Sequence, residues 1–203
     1  MKIKKSITIL LTAILMIVIL VSGIAIYTNL IASNEEDELV SNAGNEKTIL
    51  YATGDFPYYE SIDELYNKAD LVIEGKVIDV RAELLNDRIG VSDPEDKELY
   101  TIYTIDVKKT YKGNIQKNDT LEVKVYGGDT NTMKLIYSEA VYLDVNEKYI
   151  LFLNTYENSP ACMLNNIQAH YKIDDTKLIK EIDNNFELDF EKLEKLKTMN
   201  DKK

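Results

Sequence analysis

Cys162 and His170 are the only cysteine and the only histidine in the 203-residue chain, and they flank Asn165-Asn166. A thiol beside an imidazole is the minimum kit for nucleophilic catalysis, and a hairpin between the two residues would bring them together. No flanking motif makes Cys162 a nucleophile elbow or sets it at a helix N-terminus, where its pKa would fall. The same counts exclude every His/Cys zinc cluster and any disulfide within the chain. The carboxylates of Asp93-Pro94-Glu95-Asp96 and Asp174-Asp175 could hold calcium, but the spacing of an EF-hand loop is missing. Gly127-Gly128-Asp129 lacks both the Lys-Ser/Thr of a phosphate loop and a G-x-G-x-x-G series, so it reads as a turn. No catalytic residue, metal or cofactor is therefore expected, and Cys162 and His170 stand as the one thiol site to test.

Aromatic residues offer a second kind of chemistry. The chain has 14 Tyr and no Trp. Tyr51, Tyr58, Tyr59 and Tyr66 precede the first strong strand signal, while Tyr100, Tyr103, Tyr111 and Tyr126 stud the strands. Rings on a sheet face make a platform for sugars or single-stranded nucleic acid; rings that cap a core with the hydroxyl in water are the plainer alternative. Tyr103, Tyr111 and Tyr126 form the candidate ligand face. A net charge of −11, from 24 basic and 35 acidic residues, argues against nucleic acid as the partner.

The elements that would carry these residues begin with Lys2, Lys4 and Lys5 and an uncharged run from Ile7 to Ile26. Thirteen of its twenty residues are Ile, Leu or Val, which favours insertion into a bilayer by about 4–8 kcal/mol. Twenty helical residues also match a hydrocarbon core of roughly 30 Å. Lysines before the run and Glu35, Glu36, Asp37 and Glu38 after it leave the N-terminus in the cytoplasm and the remainder outside. A small-x-small cleavage site is poorly matched at Ala32, so a retained anchor is favoured over a secreted, cleaved form. The expected organisation is a cytoplasmic tip at 1–6, a transmembrane anchor or uncleaved signal at 7–27 in contact with the lipid bilayer, an acidic tether at 28–57, a β-domain at 58–185, and a C-terminal helix and tail at 186–203.

Ser61-Ile62-Asp63-Glu64 is a capping box opening a short helix. Leu71, Ile73, Gly75 and Val77 then alternate, and Ile78 and Val80 shift the apolar residues to the other parity, as a bulge or sharp bend in one strand would do. Tyr103, Ile105 and Val107 alternate, as do Leu121, Val123 and Val125; Ile150–Leu153 is a continuous apolar strand. Shorter strands are expected at Ala169–Ile173 and Leu178–Ile182. Asp189 would cap a helix carrying Phe190, Leu193 and Leu196. The fold class expected is mainly β: a small five- to six-stranded antiparallel OB-like barrel with short flanking helices, behind one N-terminal transmembrane helix.

The run Ala69-Asp70-Leu71-Val72-Ile73-Glu74-Gly75-Lys76-Val77, then Tyr103–Val107, Tyr111-Lys112-Gly113, Asp119–Val123 and Glu147–Leu153, resembles the OB-fold barrel of the netrin-module and tissue-inhibitor-of-metalloproteinases type. It is especially similar to the uncharacterised, cysteine-free domains of that pattern on Gram-positive cell surfaces, over about residues 60–175. Inhibitors of that type reach zinc through a disulfide-pinned N-terminal cysteine, which this chain lacks, so their inhibitory site does not carry over. The expectation is a membrane-anchored, extracytoplasmic, non-catalytic binding module for an envelope protein or glycan. A surface hydrolase using Cys162 and His170 or loop carboxylates is one alternative, and a surface protease inhibitor is another.

Overall fold

The computed structural model describes residues 47–86 and 97–202. The expected tip, the anchor at 7–27, the tether up to residue 46 and the carboxylates of Asp93–Asp96 lie outside the described residues. Among those described, no helix is long and apolar enough to cross a membrane.

The protein is mainly β. The strands are β1 (Thr48–Ala52), β2 (Leu71–Leu85), β3 (Glu98–Lys112), β4 (Thr120–Tyr126), β5 (Gly128–Asp129), β6 (Met133–Tyr137), β7 (Lys148–Asn154), β8 (Ala161–Met163), β9 (His170–Asp174) and β10 (Lys177–Ile179). Helices α1 (Ile62–Lys68) and α2 (Phe190–Asn200) flank them. One sheet has the order β10-β9-β7-β2-β3-β4-β8, with a further pairing of β7 to β8; a smaller one has the order β1-β6-β5.

The capping signals operate much as the sequence suggests. Ser61 Oγ accepts from Glu64 N at 3.1 Å, but the Glu64 carboxylate accepts from Glu60 N at 2.8 Å, one residue before the position a capping box uses. Ala69 N closes the last turn on Leu65 O, and Asp70 N passes at once to Leu153 O in β7. The C-terminal carbonyls of Tyr66 and Asn67 accept from Lys112 Nζ at 3.0 and 2.8 Å, a cation at the negative end of the helix. Asp189 caps α2 by accepting from Lys192 N at 2.7 Å. Leu193 and Leu196 of α2 join the same core as Leu65, Ile73, Ile105 and Phe152, so the tail is part of the domain.

β2 and β3 run side by side for most of their 15 residues each. Their register skips Tyr111 and Lys108 on β3 and Ile78 on β2, so the ribbon bends at three bulges. A Cβ on Gly75 would collide with Cγ2 of Ile105, which is why glycine sits at this point of the strand. β7 pairs with β2 only from Leu71 to Lys76. Beyond the Ile78 bulge the apolar residues Ile78 and Val80 do not enter a second core; both are 43% exposed.

Three expectations need correction. Among the described residues ten strands are present where five or six were expected: β1 and β8 depend on partners distant in sequence, and β5 and β6, which pair with each other, are short. The tether does not extend to residue 57, since Thr48–Ala52 form β1, parallel to β6 from Thr48↔Met133 to Ala52↔Tyr137. The last short strand ends at Ile179, and Ile182 lies beyond it in solvent.

Candidate functional site

The three tyrosines of the expected ligand face do not form one. Tyr103 and Tyr111 are each only 2% exposed, within the main core. The Tyr103 hydroxyl accepts from Leu143 N at 3.2 Å, and burial raises its pKa to about 12. Tyr111 is likewise pushed up by burial, and as a bulge residue it offers its carbonyl to the Tyr66 hydroxyl at 2.7 Å. Alternation explains the correction. Odd-numbered residues of β3 from Leu99 to Val107 are buried on one face, so Tyr103 belongs to the core side and Tyr100 to the other.

Tyr126 does reach a surface site. It stands directly across from Tyr100 in the β3–β4 ladder, and the two rings meet edge to face at 5.4 Å. Tyr137 continues the series at 5.3 Å from Tyr126, and Phe56 follows at 5.8 Å from Tyr137. The rings of Phe56, Tyr100 and Tyr126 border a groove of about 290 Å³ that is also lined by Lys124, Tyr156, Cys162 and Asn166. Lys124 is 8% exposed. Its ammonium lies 4.6 Å from the centroid of Tyr156 and 5.6 Å from that of Tyr100, and donates to Ser159 Oγ at 2.7 Å. Ring faces and a hydroxyl are the partners that make a largely buried ammonium tolerable.

Cys162 and His170 are not brought together. In the ladder Cys162 stands opposite Asn154 of β7, and His170 stands opposite Leu151. Three residues along a strand is roughly 10 Å, and the odd offset turns the two side chains to opposite faces. Cys162 Sγ lies 3.2 Å from the Tyr156 hydroxyl in the aromatic groove. His170, 3% exposed, borders a separate cavity of about 150 Å³ and meets Glu181 through Nε2 at 3.1 Å. Among the described residues its Nδ1 has no hydrogen-bond partner. Burial pushes the His170 pKa down, against the upward pull of the Glu181 carboxylate.

Among the described residues no group of three or more His, Cys, Asp or Glu side chains is arranged to hold a metal ion. No protein-family model matches the chain, and no curated protein matches it either.

Phe56, Tyr100, Lys124, Tyr156 and Asn166 line the groove without being among the expected site residues. Tyr100 and Tyr126 carried a usable signal, since both lie out of phase with the core-facing residues of their strands. Phe56, Tyr156 and Asn166 lie outside the strands, where periodicity gives no orientation.

Proposed function

We propose that this domain is an OB-like binding module that acts without covalent chemistry, and that its ligand is an envelope glycan held in the groove of Tyr100, Tyr126 and Tyr156. The barrel reading is supported by the pairings of β8. It runs parallel to β4 through Val123↔Ala161 and Lys124↔Cys162, and antiparallel to β7 through Leu153↔Met163 and Asn154↔Cys162. The path β7-β2-β3-β4-β8 thus comes back beside β7 through two residue pairs at each junction, a barrel-like course rather than a closed barrel. OB-folds bind on the face of their second and third strands, between the loops after the first and fourth. In this path those strands are β3 and β4, which supply Tyr100, Lys124 and Tyr126, and the loop after β7 supplies Tyr156.

The observation that carries the proposal is the aromatic groove. Flat rings suit the apolar face of a sugar, while Lys124 and Asn166 at its wall suit hydroxyl groups. A placement outside the cell, anchored through 7–27, follows from the charges flanking the apolar run. The test is retention of cell-envelope polymers by the full-length chain in nonionic detergent. Wild type should retain a saccharide fraction that Tyr126→Ala/Tyr156→Ala loses. Retention of no saccharide, or equal retention by both, would overturn the proposal, and cysteine-dependent turnover of the fraction would favour a surface hydrolase.

A further inference from the structure

Among the described residues, β2 beyond Ile78 has a strand neighbour on one side only. β7 leaves it at Lys76, and among the described residues no strand pairs with the other edge of Asp79–Leu85. Exposed edges in natural proteins are commonly blunted by proline, a bulge or charged side chains, lysine above all; here the charges are Asp79, Arg81 and Glu83, of both signs. The sequence Asp79-Val80-Arg81-Ala82-Glu83-Leu84-Leu85 contains neither proline nor lysine, and its one bulge lies before it.

The backbone groups that face outward can be identified. Gly127 N donates to Leu99 O, Val107 N donates to Asp119 O just before β4, and Val107 O accepts from Asn118 N. Odd residues of β3 therefore bond towards β4, and even residues bond towards β2. Tyr100, Ile102 and Thr104 stand opposite Glu83, Arg81 and Asp79. That leaves the N–H and C=O groups of Val80, Ala82 and Leu84 directed away from β3. On one face of this strand Val80 and Leu84 are 43% and 46% exposed. On the other, Arg81 is paired with Glu83 at 2.8 Å and with Glu122 at 2.7 Å, all three side chains still about two-fifths open to solvent.

We propose that this edge pairs with the same edge of a second copy of the chain, antiparallel, about a twofold axis at Ala82. Self-complementarity selects the occupant. Centred on Ala82, the outward groups of Val80, Ala82 and Leu84 meet Leu84, Ala82 and Val80 of the second copy in hydrogen-bonded pairs. Arg81 falls opposite Glu83 of the second copy, and Glu83 opposite its Arg81, in the non-hydrogen-bonded positions where side chains approach most closely. The apolar face then matches Val80 to Leu84 twice. A centre at Val80 also sets opposite charges across the strands, but it draws in Ile78, whose bulge breaks the ladder, and Val77, whose backbone is already bonded to Asn146 and Glu147. Such an interface is isologous and closes as a dimer.

The test uses the full-length chain in nonionic detergent, with its mass followed by sedimentation over a range of concentrations. Wild type should form a dimer. Arg81→Glu and Glu83→Arg should each weaken it at least tenfold, by setting like charges opposite each other, and Arg81→Glu/Glu83→Arg should restore it. A second measurement fixes the register, in a Cys162→Ser background. A copy carrying Arg81→Cys and a copy carrying Glu83→Cys should form a disulfide on mild oxidation only when mixed, since non-hydrogen-bonded pairs place Cα atoms about 4.5 Å apart. A monomer at every concentration, a charge swap that fails to restore the dimer, or cross-linking as efficient with either copy alone would each overturn the proposal.

Discussion

Gly75→Ala places a methyl group against one particular neighbour. The added Cβ would overlap Cγ2 of Ile105, far inside ordinary van der Waals contact, and Ile105 has no exposed surface. A β-branched side chain on a strand has few rotamers by which to yield, and close-packed surroundings leave it no space. Overpacking of this kind costs about 1–3 kcal/mol, and the upper half of that range is expected because the obstacle is a stiff interior side chain. For a domain of this size that lowers Tm by roughly 4–12 °C. Ile105→Leu removes the obstructing methyl, since leucine is not branched at Cβ. Gly75→Ala/Ile105→Leu should therefore be more stable than the sum of the two single changes predicts, by about 1 kcal/mol or more. The assay is urea unfolding of the four proteins followed by far-UV circular dichroism. A Gly75→Ala loss below about 0.5 kcal/mol, or strictly additive single changes, would refute the placement of Gly75 against Ile105.

Other changes probe separate parts of the fold. Tyr66→Phe removes the hydroxyl that serves the bulge carbonyl of Tyr111, and should cost about 1–3 kcal/mol in urea unfolding because that carbonyl is left buried. Ser61→Ala should cost about 1 kcal/mol through the lost cap on α1, and Ser61→Gly less. His170 binds its proton less readily when folded than when unfolded. The unfolded chain thus takes up more protons as pH falls through the unfolded value of about 6.5, and stability declines from there down to the lowered folded value. His170→Gln should flatten that part of the pH–stability curve and leave the slope above pH 7 unchanged. Glu181→Gln removes the carboxylate that supports the imidazolium, so it should lower the His170 pKa further in an NMR titration.

Much of the framework is written locally in the chain. Ser61 and Asp189 mark the two helix starts, alternation marks the cores of β2, β3 and β4, and the shift of phase after Gly75 marks a bend, because these signals are set by neighbours in sequence. Short strands were hidden where their partners are distant: β1 exists through β6, more than eighty residues later, and β8 leans on β4, nearly forty residues earlier; β5 pairs with nearby β6 but is only two residues long. The same distinction governs the site. Counting tyrosines favours Tyr103 and Tyr111, whereas strand parity assigns Tyr103 to the core and turns Tyr100 and Tyr126 outward; Tyr111, a bulge residue beyond the alternating run, is buried as well. Cys162 and His170, close in sequence, are separated by an odd offset along β7 that only the ladder register reveals.

Glycan binding in the aromatic groove is decided by the affinity of the full-length chain for the saccharide fraction it retains. Measured by titration calorimetry, Tyr156→Ala should weaken binding by about 1–3 kcal/mol, or roughly 5- to 150-fold. Tyr51→Ala, an exposed ring on β1 that does not line the groove, should leave it unchanged. Equal affinities for wild type and Tyr156→Ala, or an equal loss in both variants, would contradict binding in the aromatic groove.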